Sequence, residues 1–138
     1  MIAHSEWKGS TIFEGVAENG NSIFFDAAPE HTQGPSPMEA VLMALCACTS
    51  VDVVSILQKK RERLEGLKVT AAAEQAVDPP RVFTRIKLTY TVSGNLNHKA
   101  VEDAVALSKN KYCSVSKMLE KAAPVDYEIA YIDGEPEP

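Results

Sequence analysis

One long, mostly apolar stretch, from Ala40 to Leu57, constrains the fold of this chain more than any other feature. It is barely long enough to cross a bilayer, and it contains Asp52 and several Ser, Thr and Cys residues, which lipid-facing helices disfavour. A helix that is apolar on nearly all sides is otherwise a central core helix. We therefore expect a long buried central helix and no association with a membrane.

The residues around this stretch predict where the helix begins and ends. Ser36 can cap it, Pro37 suits the first helical position, and Glu39 completes an S-x-x-E capping box. The charged run KKRER follows the apolar stretch and favours a helix C-terminus. The helix is thus predicted to end near Gln58 or Lys60.

Strand patterns flank the helix on both sides. Two β-rich runs between Ser10 and Asp26 surround Asn19-Gly20-Asn21 and predict a hairpin, followed by a loop over 27–34. Segments 66–77 and 82–92 predict a second hairpin of two long strands. Alternation in its second strand divides the side chains into a buried face, Val82, Ile86, Leu88, Tyr90 and Val92, and an opposite face, Phe83, Arg85, Lys87 and Thr89.

Two helices and one strand complete the predicted fold. Asn97 can cap a helix from His98 to about Leu107. After the connection SKNKY, a shorter helix covers Ser114 to about Lys121, and VDYEIAYI forms the last strand. Strands grouped with strands favour an α+β fold with an antiparallel sheet.

Length and charge limit the classes of function. With 138 residues, we expect one domain over 1–138, with a frayed tail over 133–138. The net charge of -5 disfavours nucleic acid as a partner. No secretory signal is evident at the N-terminus, so we expect a cytoplasmic protein whose three cysteines are reduced thiols.

The three cysteines do not have the spacing of a metal site. Cys46 and Cys48 lie two residues apart on the predicted helix, so their side chains point about 200° apart. No His stands at ligand spacing from either one, and we expect neither a metal nor another cofactor. Cys113 is predicted to cap the last helix, where the helix dipole would lower the pKa of a thiol. Cys48 lies mid-helix and has no such help, and Asp52, one turn later on the same face, would raise the pKa of its thiol.

Two motifs resemble the OsmC/Ohr family. In GPSPMEAVLMALCACTSVDVVSIL, Cys48 follows the helix-opening Pro37 by eleven positions, as the reactive cysteine does in that family. In LSKNKYCSVSKMLEKAAPVDYEI, Cys113 opens a helix shortly before the last strand, as the family's second cysteine does. The order of strands and helices also matches that of the family. The residues of the first motif resemble the YhfA-like branch more than either founding branch.

The resemblance implies an intertwined homodimer and a catalytic cycle that uses two cysteines. Cys48 would be the peroxidatic cysteine, which reduces an organic hydroperoxide and becomes a sulfenic acid. Cys113 would be the resolving cysteine, and an external dithiol reductant would restore the pair in defence against oxidative stress. The candidate substrate-binding side chains around them are Val41, Met43, Ala44, Leu45, Val51 and Tyr112.

The sequence departs from the family pattern in its charges. The family pairs the thiolate with an Arg from the N-terminal strands, but no Arg precedes Arg61 here, which leaves Lys8, His31, Arg81 or Arg85 as the cation. Glu39 stands one position later than the family's Glu, and both a catalytic role and a capping role are open to it. Asp52 is either the anchor of a cation near Cys48 or a member of a polar network.

Two functions follow from these observations. The first is a thiol-dependent peroxidase, and the alternative is a non-catalytic dimer on the same scaffold that senses redox state or binds a small molecule. The absent Arg is the feature that keeps the alternative open.

Overall fold

The computed structural model describes residues 1–133 and divides into two compact units, one from Met1 to Leu42 and one from Met43 onward. The expectation of a single domain over 1–138 stays a prediction. Of the tail expected to fray over 133–138, Asp133 is the last residue of a strand, and the rest lies outside the described residues. The elements in chain order are β1 (Ala3–Trp7), β2 (Ile12–Ala17), β3 (Ser22–Asp26), α1 (Pro37–Lys59), β4 (Gly66–Gln75), β5 (Phe83–Gly94), α2 (His98–Leu107), a π-helix (Ser108–Tyr112), α3 (Ser114–Leu119) and β6 (Val125–Asp133).

The first unit contains a three-stranded antiparallel sheet in the order β1-β2-β3. The predicted hairpin is present as β2 and β3, and its turn includes Gly20 at φ +94°, a conformation that glycine adopts without strain. The sequence did not predict β1, because every residue of this strand is exposed and none of the usual alternation is visible. Pairing with β2 defines it instead.

Asp26 organises the loop that follows this sheet. Its buried carboxylate accepts hydrogen bonds from the Ala28 N–H at 2.9 Å, the Thr11 hydroxyl at 2.8 Å and the Gln33 N–H at 3.1 Å. These bonds, led by the one from Ala28, lower the pKa of Asp26. The His31 ring Nδ1 lies 2.8 Å from the Asp26 carbonyl oxygen. The loop over 27–34 is therefore held in one conformation by the residue that ends β3.

The second unit contains the sheet β4-β5-β6, in which β4 and β5 pair antiparallel as predicted. β5 and β6 pair in parallel, so the prediction of a wholly antiparallel fold is corrected here. The connection between these two strands runs through α2, the π-helix and α3. Parallel neighbours need a crossover of this length, and the helices between the strands provide it.

A β-bulge reverses the predicted orientation at the start of β5. The register shifts between Glu74 and Gln75, so Thr84 has no partner across the ladder and Phe83 pairs with Gln75. Phe83 is consequently buried together with Ile86, whereas Val82 is 52% exposed. An extra residue in one strand moves the preceding side chains to the other face, so strict alternation fails upstream of it.

The helix α1 begins and ends where the sequence predicted, but within this chain it is buried along one stripe only. Among the described residues it is the one helix long and apolar enough to span a membrane by length and composition. The buried stripe, at four-residue spacing, consists of Leu45, Thr49, Val53 and Leu57. The opposite side, which we call the open face, consists of the exposed Met43, Ala44, Ala47 and Val51.

Candidate active site

Cys48 and Cys113 come together in the second unit. Cys48 is half-buried in the middle of α1, and Cys113 is fully buried at the N-terminus of α3. Their side chains interact closely enough for Cys48 to affect the ionisation of Cys113. The two cysteines that the family motifs single out are therefore neighbours in space, although 65 positions separate them in the sequence (113 − 48).

The structure corrects the expected acidity of Cys113. This residue caps α3 as predicted, and its Sγ accepts from the Ser116 N–H at 3.4 Å. The pKa of the Cys113 thiol is nevertheless raised to about 11, mainly by burial; the Ser116 N–H opposes this shift, and Cys48 and Asp52 add to it. Desolvation of the charged form thus exceeds the effect of the helix N-terminus.

A π-helix holds Cys113 in place from the N-terminal side. Ser108–Tyr112, predicted only as a connection, forms one wide turn, and the Cys113 N–H donates to the Ser108 carbonyl oxygen at 2.7 Å. Single π-turns occur often at functional sites, where an added residue redirects the chain. Here the turn sets the position of the buried thiol.

Asp52 is half-buried and belongs to a polar network rather than to an ion pair. Its carboxylate accepts from the Ser108 hydroxyl at 2.8 Å, and the Thr49 Oγ1 lies 2.7 Å from the Ser108 Oγ and 2.6 Å from the Tyr90 hydroxyl. No ion pair within residues 1–133 includes Asp52, so among the described side chains it anchors no cation. Of the two roles considered for Asp52, the polar network is the one that this geometry supports.

Sequence reasoning did not identify Thr49, Ser108 or Tyr90 as members of the site. All three are fully buried, and burial raises the pKa of Tyr90 to about 12, so its hydroxyl keeps its proton at neutral pH. One indication was available: Tyr90 was predicted on the buried face of β5, and a buried tyrosine hydroxyl needs a hydrogen-bond partner. The identity of that partner depends on tertiary structure.

Cys46 occupies a different environment from Cys48. Burial raises the pKa of the Cys46 thiol against a hydrogen bond from the backbone of Ala71, a residue of β4. The predicted divergence of the two side chains along α1 agrees with this contact. Within residues 1–133, no group of three or more His, Cys, Asp or Glu side chains lies close enough to hold a metal ion.

Glu39 forms the predicted capping box at the start of α1. The Ser36 N–H donates to Glu39 Oε1 at 2.9 Å, and the Glu39 N–H donates to Ser36 Oγ at 3.1 Å. The hydrogen bond from the Ser36 N–H, and after it one from the Ser36 side chain to the same carboxylate, lower the pKa of Glu39. His31 Nε2 lies 3.9 Å from the same carboxylate. The geometry thus supports the capping role of Glu39 in the first unit.

The cations considered for Cys48 all have partners of their own. Lys8 lies 3.4 Å from Glu6 and 3.5 Å from Glu14, and His31 contacts Asp26 and Glu39 as described above. In the second unit, Arg81 Nε donates to the Ala76 carbonyl oxygen at 3.1 Å, and Arg85 lies 3.7 Å from Asp126. Which cation serves Cys48 therefore stays an open part of the prediction.

The predicted substrate-binding residues separate by burial. Leu45 is 0% exposed and belongs to the core of the second unit, so it cannot contact a substrate from solvent without rearrangement. Ala44 is exposed on the open face, and Val41 is half-buried in the first unit. Tyr112 is 51% exposed, with Lys111 Nζ 5.3 Å from the centre of its ring. Ala44, Val41 and Tyr112 stay candidates, and Leu45 is removed.

Known proteins resemble this chain over nearly its whole length. Residues 30–128 match the family model described as OsmC-like protein. Protein YhfA of Escherichia coli K12 is 42% identical over 132 residues, which cover 94% of this chain and 98% of that protein. A hypothetical protein from Aquifex aeolicus VF5 superposes with a TM-score of 0.80 at 28% identity, over 94% of this chain and 96% of its own. An organic hydroperoxide resistance protein OsmC from Legionella pneumophila superposes with a TM-score of 0.70 at 18% identity, over 94% and 95%, which is a likeness of fold alone.

Proposed function

The chain belongs to the OsmC-like family, as its motifs predicted, and from this premise we propose that it is a thiol-dependent peroxidase that reduces organic hydroperoxides. The main observation in support is the direct interaction between the Cys48 and Cys113 side chains. The Legionella protein of the same fold is named for organic hydroperoxide resistance. Its name supports the substrate class, and the paired thiols support the two-cysteine cycle.

The proposed cycle has three steps. The Cys48 thiolate attacks the distal oxygen of the hydroperoxide, the O–O bond breaks, and Cys48 keeps the distal hydroxyl as a sulfenic acid. The alkoxide leaves and takes one proton from solvent to become the alcohol. The Cys113 thiol then attacks the Cys48 sulfur, forming a disulfide and releasing water. An external dithiol reduces the disulfide by exchange and is itself oxidised to a disulfide.

The difference in exposure between the two cysteines supports this division of roles. A peroxidatic thiol must be reached by the substrate, and Cys48 is the half-buried member of the pair. A resolving thiol needs to reach only its partner, and Cys113 is 0% exposed. When Cys48 becomes a neutral sulfenic acid, its thiolate charge no longer opposes ionisation of Cys113, so the first step prepares the second.

We also propose that the protein works as a cytoplasmic homodimer. The open face of α1 presents exposed apolar side chains, including Met43 at 58% and Val51 at 67%. Exposed apolar area of this kind favours an interface, and the family resemblance implies a second copy of the chain as the partner. Sizing chromatography tests this point, and a monomer would contradict it.

A steady-state assay with tert-butyl hydroperoxide and a lipoyl dithiol tests the peroxidase. Cys48→Ser should abolish turnover, because the nucleophile is gone. Cys113→Ser should consume one peroxide per subunit and then stop at a sulfenic acid that dimedone traps. Cys46→Ser is the matched control, since it removes a half-buried thiol from the same helix and should retain activity.

Two results would change the proposal. Loss of turnover in Cys46→Ser with activity retained in Cys48→Ser would reverse the assignment of the nucleophile. A wild-type protein that forms the Cys48–Cys113 disulfide slowly and never turns over would favour the redox-sensing alternative. The absence of a cation beside Asp52 within residues 1–133 is the observation behind that alternative.

A further inference from the structure

Ser108 connects the backbone of the resolving cysteine to the half-buried carboxylate of Asp52. Its carbonyl oxygen accepts from the Cys113 N–H at 2.7 Å, and its hydroxyl donates to Asp52 Oδ2 at 2.8 Å. Asp52 is close enough to Cys113 for its charge to act on that thiol. One residue of the π-helix thus fixes both groups on the same side of the site.

The hydrogen bonds of this network run in one direction. A carboxylate accepts only, so Ser108 gives its single hydroxyl proton to Asp52. Thr49 must then donate to Ser108 at 2.7 Å, and Tyr90 must donate to Thr49 at 2.6 Å. The hydroxyls of Tyr90, Thr49 and Ser108 therefore all point their protons towards Asp52. This arrangement orients the carboxylate and strengthens the hydrogen bond that it accepts from Ser108.

The groups that face Asp52 come from three elements. Cys48 lies on α1 one turn before it, Cys113 comes from α3, and Tyr90 reaches it from β5 through Thr49 and Ser108. No positively charged side chain within residues 1–133 pairs with this carboxylate. An oriented carboxylate whose charge acts on the Cys113 thiol is a suitable acceptor for the proton of that thiol.

We propose that Asp52 accepts the proton that Cys113 loses when its sulfur attacks Cys48, and that Ser108 is the residue that positions Asp52 for this transfer. The proposal rests on the two-cysteine cycle described above and assigns the proton transfer in its second step. In that step the S–S bond forms as the S–O bond breaks, and the proton held by Asp52 passes to the departing hydroxide to give water. Atoms and electrons balance without a further reagent.

The transfer can be measured without any peroxide. In a Cys46→Ser background, dithiobis(nitrobenzoate) reacts with Cys48 and releases one thionitrobenzoate anion in a first phase. Attack by Cys113 on this mixed disulfide releases a second anion, which needs no proton, while the Cys113 proton goes to Asp52 and then to solvent. The second phase therefore reports the proposed step even if the protein has no peroxidase activity.

Asp52→Asn is the central variant, because it removes the charge and keeps a side chain of the same shape. We expect the second phase to slow by about 10²-fold, as for loss of a general base. Its rate should also change from nearly constant to rising by about tenfold per pH unit between about pH 6.5 and 8, because hydroxide must then remove the proton. The first phase should stay unchanged or become faster.

An Asp52→Asn second phase that matches the parent in rate and pH dependence would overturn the proposal. So would a faster second phase, since an anion that merely opposed ionisation of Cys113 would speed the attack when removed. Ser108→Ala keeps the carboxylate but loses its orientation, and should slow the second phase while leaving its pH dependence flat. If Asp52→Asn fails to fold by circular dichroism, an unchanged second phase in Ser108→Ala would overturn the proposal.

Discussion

At the N-termini of α1 and α3, the capping side chains of Ser36 and Cys113 each accept from the N–H three residues later, but the pKa values of the ionisable groups there shift in opposite directions. At α1, Glu39 accepts from the Ser36 N–H in an exposed capping box, and the pKa of its carboxyl group is lowered. At α3, Cys113 accepts from the Ser116 N–H, yet the pKa of its thiol is raised to about 11. The first helix end lies in solvent, whereas Cys113 is 0% exposed and has Asp52 nearby. A helix N-terminus favours an anion only where burial does not cost more.

The substitution with the largest expected effect on stability places a carboxylate at the buried N-terminus of α3. Asp is among the preferred N-cap residues, so Cys113→Asp should stabilise α3 if capping decided the outcome. We expect instead a loss of about 3 kcal/mol in the free energy of unfolding, because the new charge is buried beside Asp52. Urea unfolding at neutral pH measures this.

Cys113→Ser is the control for that variant, since serine caps well without a charge. The buried carboxyl would have a folded pKa above its unfolded value, so its penalty applies above the folded pKa and shrinks as the pH falls. If Cys113→Asp and Cys113→Ser unfold at the same urea concentration at neutral pH, burial does not dominate at α3.

An alkaline titration should show the raised pKa of Cys113 directly. In a Cys46→Ser background, thiolate absorbance should include one group titrating at about 11, against 9.0 for the unperturbed thiol. Because the folded pKa lies above the unfolded one, the stability due to this thiol is fully present below about pH 9 and is lost as the pH rises through 11. Cys48→Ser should lower the titration midpoint, since one cause of the shift is removed. A Cys113 midpoint at or below 9.0 would contradict the comparison.

At the exposed end, Ser36→Ala should cost about 1 kcal/mol of unfolding free energy, the usual effect of losing an N-cap. Glu39→Gln tests the charge separately. Since the pKa of Glu39 is lowered from 4.5, its contribution is present above that value and is lost as the pH falls through the folded pKa. The stability difference between wild type and Glu39→Gln should therefore disappear in acid. A difference that persists there would mean that the carboxylate charge contributes nothing.

The smallest expected effect concerns Ser116, whose N–H contacts Cys113. Its hydroxyl is buried and, among the described residues, has no hydrogen-bond partner. Ser116→Ala should leave the stability unchanged or raise it by up to about 1 kcal/mol, because an unsatisfied buried group is removed. Thermal unfolding measures this. A clear loss of stability would indicate that the hydroxyl has a partner in the assembled protein.

Local patterns were sufficient for much of the fold. The capping box, the Asn-Gly turn and the Asn97 cap each lie within a few residues of sequence, and each is present as predicted. The parallel pairing of β6 was missed, although the two helices before it required a crossover. The inward orientation of Phe83 depends on a bulge in the β4–β5 ladder, and nothing in the sequence near Phe83 indicates that bulge.

The candidate site was predictable only in part, because its contacts join distant segments. Spacing and family resemblance identified Cys48 and Cys113, and the structure brings them together. The hydrogen bonds from Thr49 reach 41 residues to Tyr90 and 59 residues to Ser108, beyond what periodicity can indicate. The sequence predicted a lowered pKa for the Cys113 thiol, whereas the pKa is raised. This error arose because the burial of a helix end depends on tertiary structure.

The π-helix makes the position of Cys113 sensitive to the deletion of a single residue. An α-helix turns about 100° per residue, so loss of one residue from a wide turn lets the chain continue as an ordinary helix. Deletion of a single codon within 109–111 would thus leave the residues that form α2, α3 and β6 intact. It would rotate and withdraw Cys113 relative to Ser108, whose carbonyl oxygen now holds it at 2.7 Å. In this chain, we therefore expect an in-frame deletion of one residue to preserve the fold and to abolish the proposed chemistry.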